Sequence, residues 1–168
     1  KYPKKVLIIK GGKERSDSSL IGLKKIKKFQ PTNILIHDAA RPDFSIKLLK
    51  NLIKNLKKNI AVIPIINPKD SIKYKIRNEL YNLNRNKAFL TQTPQAFRYK
   101  NLYNLATSQN KIISDEATLF IENNMKIKFI KGENKNNKIT YLEKIKKTKS
   151  YFGIGFDIHK LIKGKKLF

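Results

Sequence analysis

The chain has 168 residues, a formal net charge of +26 and no cysteine. The length suggests one domain, with room for a short appendage and a sizeable core. The missing thiols exclude disulfides and Cys-based zinc or redox sites, and no apolar run approaches the roughly 20 residues of a membrane helix. In chain order, Lys5–Lys10 (KVLIIK) reads as a buried strand. The GGKERSDSS turn leads into a helix with Leu20, Leu23 and Ile26 on its apolar face and Phe29 at the next step of the period. Ser18 or Asp17 is a suitable N-cap. Residues 33–37 (NILIH) form a second strand. Leu48, Leu49, Leu52, Ile53 and Leu56 recur at helical spacing, and residues 60–66 form a third strand.

This rhythm predicts an α/β fold with a mainly parallel sheet, and the unbroken Ile/Leu/Val runs predict strands covered on both faces. From Asn67 the texture changes. Two alternating stretches around a polar turn predict an antiparallel hairpin. Helices are expected at 99–108 and 115–124, a strand at 126–130, and a last helix near 141–147.

Charge has two readings. One is a polyanionic partner such as nucleic acid, a membrane surface or phosphorylated substrates. The other is compositional, since 33 of the basic residues are lysine against five arginines, spread along the chain as solvated helix faces.

Four segments carry candidate chemistry. His37-Asp38-Ala39-Ala40-Arg41-Pro42 follows an apolar strand, where open α/β sheets bind ligands. A carboxylate there can hold Mg²⁺ and an arginine can face phosphate oxygens, although an ordinary turn with a surface ion pair reads the same. Residues 11–19 (GGKERSDSS) place glycines and hydroxyls at a helix start, either an anion cradle or a glycine turn with its cap. They form neither a Walker A loop nor a G-x-G-x-x-G fingerprint. Residues 91–97 (TQTPQAF), with Arg85 just before them, are a polar run of the kind that lines a site or a bend. Residues 136–140 (NNKIT) offer Lys138 as a phosphate-facing amine.

Together, GGKERSDSSLIGL, LIHDAARP, KDSIK, NR, TQTPQAF, SDEATL and NKIT resemble, in order and spacing, the methylerythritol phosphate cytidylyltransferase family, over residues 6 to about 148. The resemblance implies a Rossmann-like nucleotidyltransferase fold with a protruding antiparallel β-arm. It implies a cytoplasmic enzyme that joins CTP to methylerythritol 4-phosphate with Mg²⁺, releasing pyrophosphate. It implies that Arg85 and Lys138 are catalytic and grip the attacking phosphate. Gly12 and Ser18 would contact the nucleotide, Asp38 would bind Mg²⁺ and the substrate hydroxyls, and Ala39 and Arg41 would shape the substrate pocket. Ser71, Thr93 and Ser114 would add hydrogen bonds. In the family the arm crosses to a partner subunit, which implies a homodimer in which Ser71 and Arg85 serve the other protomer's site.

Residues 154–159 (IGFDIH) are similar to the opening strand of methylerythritol cyclodiphosphate synthase, where an aspartate and a histidine hold zinc or another divalent metal. Asp157 and His159, at i and i+2 of a strand, share a face and can reach one ion. An exposed pair on an edge strand is the plainer alternative. The expected organisation is a cytidylyltransferase domain at 1–149 and the first strand of a synthase domain at 150–168, as in a fused bifunctional enzyme.

Three departures qualify the resemblance. The family's glycine-rich loop is expected before Lys1; Lys13 stands where an acidic residue is frequent; and the only other histidine, His37, lies in the first domain. Alone, the segment is expected to have little activity. The alternative from another class is a small basic nucleic-acid-binding protein, which requires aromatics interleaved with Arg and Lys on one surface. No RNP-like or helix-turn-helix pattern accompanies the charge, so neither a specific nucleic acid nor a membrane is expected as a partner.

Overall fold

The structure, a computed structural model, describes residues 6–109 and 112–140. The chain divides into compact units at 1–138 and 139–168, so the fold below is that of the first. The expected helix at 141–147, the expected boundary at 149 and the synthase-like strand with Asp157 and His159 lie outside the described residues.

Helix α1 (Arg15–Ile26) leads to strand β1 (Asn33–Ile36) and helix α2 (Ile46–Leu56). Next come β2 (Ala61–Ile66), the hairpin β3 (Ile72–Ile76) and β4 (Glu79–Leu83), and the short strands β5 (Leu90–Thr91) and β6 (Gln95–Arg98). Helices α3 (Tyr99–Ser108) and α4 (Glu116–Glu122) and strand β7 (Lys128–Lys131) complete it.

α1 begins earlier than either expected cap. Glu14 is the N-cap, and the Asp17 carboxylate reaches back to accept from the Glu14 N–H at 3.2 Å. That satisfies one of the orphan donors of the first turn. Its consequence is that Arg15 becomes the first helical residue. α2 is capped conventionally by Ser45, whose side chain accepts from the Leu48 N–H at 3.0 Å. Leu48, Leu52 and Leu56 form its buried stripe at i, i+4 and i+8.

Two segments differ from expectation. Residues 6–10 form no strand and are exposed, with Ile8 94% accessible. An apolar run states a demand for burial, but a strand exists only through a ladder partner, and none pairs with these residues among the described residues. Phe29 falls in a 3-10 turn after α1 and is exposed rather than on the helix's apolar face.

The sheet is α/β as expected, with a twist in its neighbours. β1, β2 and β7 run in one direction, but only β2 and β7 are adjacent and parallel. β6 lies between β1 and β2, antiparallel to both. β5 and β6 follow the same edge of β2, and their pairing shifts by two residues between Ile65↔Thr91 and Val62↔Ala96. The TQTP segment is therefore a bend within one long return strand, and it turns its polar side chains out of the ladder.

Side-chain alternation divides the core between the two faces. Ala61, Ile63 and Phe97 pack with Leu23, Leu102, Leu119 and Phe120 of α1, α3 and α4. Val62, Ala96 and Ile130 pack with the α2 leucines. Coverage on both faces explains the continuous apolar strands. Phe97 and Phe120 stack at 5.1 Å, and the buried Tyr99 hydroxyl donates to the Leu23 carbonyl at 2.8 Å. The expected arm is present: among the described residues β3 and β4 pair only with each other, with Tyr74 and Tyr81 stacked at 5.5 Å. Among the described residues no helix is long and apolar enough to cross a membrane.

Candidate active site

The site grows from the carboxyl end of β1. There the chain turns through His37–Pro42, and the turn is pinned to the TQTP bend. The Asp38 N–H donates to Thr93 Oγ1 at 3.0 Å, and Thr93 Oγ1 lies 3.1 Å from His37 Nδ1. His37 Nε2 faces the Arg41 carbonyl at 2.9 Å. A carbonyl only accepts, so Nε2 carries the proton. The His37 ring also packs edge-on against Phe44 at 4.6 Å.

With the backbone held, the Asp38 carboxylate sits among three cations. Oδ1 accepts from Arg15 Nε at 2.9 Å. Oδ2 lies 3.4 Å from Lys138 Nζ and 3.7 Å from Arg41 Nε. Burial pushes the Asp38 carboxyl up, but the Arg15 hydrogen bond and charge, together with Lys138, outweigh it and hold the group below the ordinary carboxylate value. Arg15 also donates from Nη1 and Nη2 to both oxygens of Glu116, at 3.0 and 2.8 Å. That carboxylate on α4 is 1% exposed. Burial opposes the charge on Arg15, and the Glu116 and Asp38 bonds reverse that effect and raise its pKa.

Lys138 reaches Asp38 because the loop before it is bolted to the same bend. The carboxamide of Gln92, 2% exposed, pairs with both backbone groups of Glu133. It donates to the Glu133 carbonyl and accepts from the Glu133 N–H, each at 2.9 Å, and donates again to the Asn136 carbonyl at 3.1 Å. The Asn136 carbonyl also accepts from Arg41 Nη1 at 2.9 Å, and Asn136 Nδ2 donates to the Thr93 carbonyl at 2.8 Å. On the far side Asp115 caps α4 and accepts from Thr91, Gln95 and Thr118. Burial raises the Asp115 carboxyl, and these hydrogen bonds more than reverse the effect, leaving it below its ordinary value.

Two clefts meet at Arg15, Asp38 and Lys138. One of ≈ 670 Å³ is open and runs along α1 and β1, past Ser18, Gly22, Ile36 and Ala39. The other, ≈ 170 Å³, is bounded by Arg41, Thr93, Gln95, Ser114 and Asp115. A cationic, half-closed junction between a roomy cleft and a polar recess suits a ligand with phosphate at its centre.

Of the residues expected from the sequence, Ser18, Asp38, Ala39, Arg41, Thr93, Ser114 and Lys138 are brought together here. Gly12 adjoins the site through its N–H, which donates to Ser18 Oγ at 3.0 Å. A Cβ on Gly12 would lie 2.2 Å from Asp17 Cβ, so the turn requires glycine. Arg85 and Ser71 stand elsewhere, at the base of the arm. Arg85 follows β4 in a 3-10 turn, is exposed, and donates to the Lys69 carbonyl at 3.3 Å. Neither residue lines either of these two clefts.

The sequence reading assigned no role to Arg15, Glu116, Gln92 or Asn136. Arg15 and Glu116 stand in the quoted GGKERSDSS and SDEATL, but charged residues at helix starts ordinarily face water. Gln92 and Asn136 carried no signal beyond a polar run.

Asp38 was expected to hold Mg²⁺. Both of its oxygens face cations, and among the described residues no cluster of three His, Asp or Glu could complete a metal site. As it stands the carboxylate gathers cations, and Mg²⁺ at this point would have Asp38 as its one carboxylate ligand, with phosphate oxygens and water supplying the rest.

The family pattern described as 2-C-methyl-D-erythritol 4-phosphate cytidylyltransferase matches residues 1–153. A bifunctional enzyme IspD/IspF of Pelagibacter ubique is 49% identical over 166 residues, covering 98% of this chain and 45% of that protein. A 2-C-methyl-D-erythritol 4-phosphate cytidylyltransferase of Clostridium acetobutylicum is 33% identical, covering 83% of this chain and 62% of that one. Among solved structures, 4-diphosphocytidyl-2C-methyl-D-erythritol synthase of Anaerococcus prevotii superposes with TM-score 0.77 at 32% identity, covering 86% of this chain and 66% of that one. The bifunctional IspDF of Campylobacter jejuni does so with TM-score 0.73 at 31% identity, covering 86% of this chain and 37% of that one. The chain thus spans less than half the length of its bifunctional relatives. On the pattern match and these identities, the chain belongs to the 2-C-methyl-D-erythritol 4-phosphate cytidylyltransferase family.

Proposed function

We propose that the protein carries out cytidylyl transfer from CTP to 2-C-methyl-D-erythritol 4-phosphate. The observation that carries this reading is the Asp38 carboxylate set among Arg15, Arg41 and Lys138 where the two clefts meet. A phosphate oxygen of the acceptor attacks the α-phosphorus of CTP. A new P–O bond forms as the bond to the bridging oxygen breaks, and pyrophosphate leaves. The step needs no covalent intermediate, and its barrier falls by aligning two polyanions and neutralising their crowded charge.

In this reading Lys138 and Arg41 turn toward the acceptor phosphate, and Asp38 holds both cations at the junction. Thr93 and Ser114 line the polar recess and hydrogen-bond the acceptor. Gly12 and Ser18 bound the nucleotide end of the open cleft, and Ala39 leaves room beside it. Mg²⁺, when bound with the triphosphate, supplies further charge neutralisation. Arg85 and Ser71 belong to the arm and serve the site of a partner protomer, which makes the working unit a homodimer. The apolar face of the arm, with Tyr74 44%, Ile76 52% and Leu83 42% exposed, supports a partner there. Asp157 and His159 are proposed to hold zinc or another divalent ion in a following synthase domain. That domain would form 2-C-methyl-D-erythritol 2,4-cyclodiphosphate with release of CMP.

The test is pyrophosphate release by the full-length protein with CTP and the acceptor. Lys138→Met and Arg85→Met should each lower kcat/KM by about 10²–10³-fold, the scale of losing one aimed donor. Mixing the two variants under subunit exchange should restore about a quarter of the activity, because half of the dimers are mixed and each mixed dimer holds one intact site. Absence of release by the wild-type protein refutes the reaction; absence of complementation refutes the shared site.

A further inference from the structure

We infer that Arg15 is a positioning residue: its guanidinium, fastened on the buried Glu116, holds one oxygen of Asp38 and thereby keeps the other in its long ion pair with Lys138 and short of a bond to Arg41. The activity invoked below rests on the proposed function. The geometric claim does not.

Arg15 commits all three of its nitrogens. Nη1 and Nη2 form a fork on the Glu116 carboxylate, and Nε donates to Asp38 Oδ1. Glu116 is 1% exposed, and a carboxylate so deeply buried is costly unless both its oxygens are partnered. One arginine therefore meets two obligations, a buried anchor on α4 and a restraint on the anion at the end of β1. A lysine meets one of them at most, because an ammonium presents no rigid fork.

The reason Asp38 requires restraint lies on its other oxygen. Arg41 Nε is buried without a hydrogen-bond partner, 3.7 Å from Asp38 Oδ2. Lys138 Nζ stands 3.4 Å from the same oxygen. The terminal torsion of an aspartate is soft, so a carboxylate without a tether would rotate to satisfy that donor and tighten on both cations. Closure of that kind would spend on Asp38 the charge meant for an incoming phosphate. The bond from Arg15 opposes the rotation, and the unmade Arg41 bond is its visible consequence. Because Arg15 is also the first residue of α1, three residues from Ser18, the same contact couples the Gly12–Ser18 turn to the junction.

The test separates positioning from mere neutralisation of Glu116. Arg15→Gln alone strands a buried carboxylate and is uninformative if it unfolds, so the informative variant is Arg15→Gln/Glu116→Gln, which removes both charges together. The double variant should melt near the wild-type temperature yet lose about 10- to 100-fold in kcat/KM for the acceptor in the full-length protein, the scale expected for a small misplacement of reacting groups. Arg15→Lys, which keeps a cation beside Glu116, should not recover it. In parallel, the ¹⁵N resonance of the Lys138 ammonium should shift in the double variant as the freed carboxylate closes on it. A folded double variant with wild-type kcat/KM, or a Lys138 resonance that does not move, overturns the inference. If the wild-type protein transfers no cytidylyl group, the proposed function fails, and the Lys138 resonance still decides the role of Arg15.

Discussion

Gln92→Leu is the substitution that best tests how the site is assembled. Leucine nearly matches the buried volume of glutamine but can neither donate nor accept. The native carboxamide serves the Glu133 N–H, the Glu133 carbonyl and the Asn136 carbonyl. The Asn136 carbonyl keeps its bond from Arg41 and the Glu133 carbonyl keeps one from the Asn136 N–H, so it is the Glu133 N–H that loses its partner. At about 1–3 kcal/mol for a buried group left unsatisfied, the expected loss is ~2 kcal/mol. For a domain of this size that is a fall of roughly 6 °C in Tm. Urea unfolding followed by circular dichroism should show a lower midpoint at unchanged slope. In the full-length enzyme kcat/KM should fall further than stability explains at assay temperature, because the loosened segment carries Lys138. A Tm change below roughly 3 °C would refute the view that this carboxamide organises the loop, since even one lost partner exceeds that on the same scale.

Gly132→Ala should probe the same joint from the other side. A Cβ there would lie 2.4 Å from Gln92 Oε1 and 3.1 Å from the Ile65 carbonyl, and the bonded carboxamide has little freedom to yield, so a loss of about 1–3 kcal/mol is expected in the same unfolding assay. Leu52→Ala, at a position 0% exposed in the α2 stripe, should cost about 2–5 kcal/mol, and a smaller effect would mean that α2 settles into the space left behind. Acid should weaken the fold through Asp38 and Asp115. Both have folded pKa values below the ordinary 3.8, so their contribution is complete above that value and is lost as pH falls through the depressed values. A stability profile flat below pH 3.8 would contradict both shifts.

Local pattern was enough for much of the fold. The α2 stripe, the strands at 33–36 and 61–66, the hairpin and the helix at 99–108 follow from periodicity and turn chemistry, which are properties of neighbouring residues. The HDAARP, TPQ and NKIT segments mark the site because several uncommon residues stand there in a fixed order. Local pattern failed where a partner was needed. Val6–Ile9 has the composition of a strand but no ladder among the described residues, and the run of α/β units did not reveal that β6 enters between β1 and β2. Asp17 was legible as a capping residue, but whether it caps from the N-cap or reaches back from the third position depended on where the helix began.

What the sequence determined by itself was the family and most of the side chains at the junction, because those residue types are demanded by the chemistry they carry. What only the tertiary structure decided was how they are held. Arg15 meets Glu116 across 101 positions of sequence, and Gln92 meets the loop of Lys138 across 41 to 44. Neither pairing has a period or a spacing to read. The rule that joins them is that a buried charge or amide must find a partner, and only the folded chain determines which one is within reach.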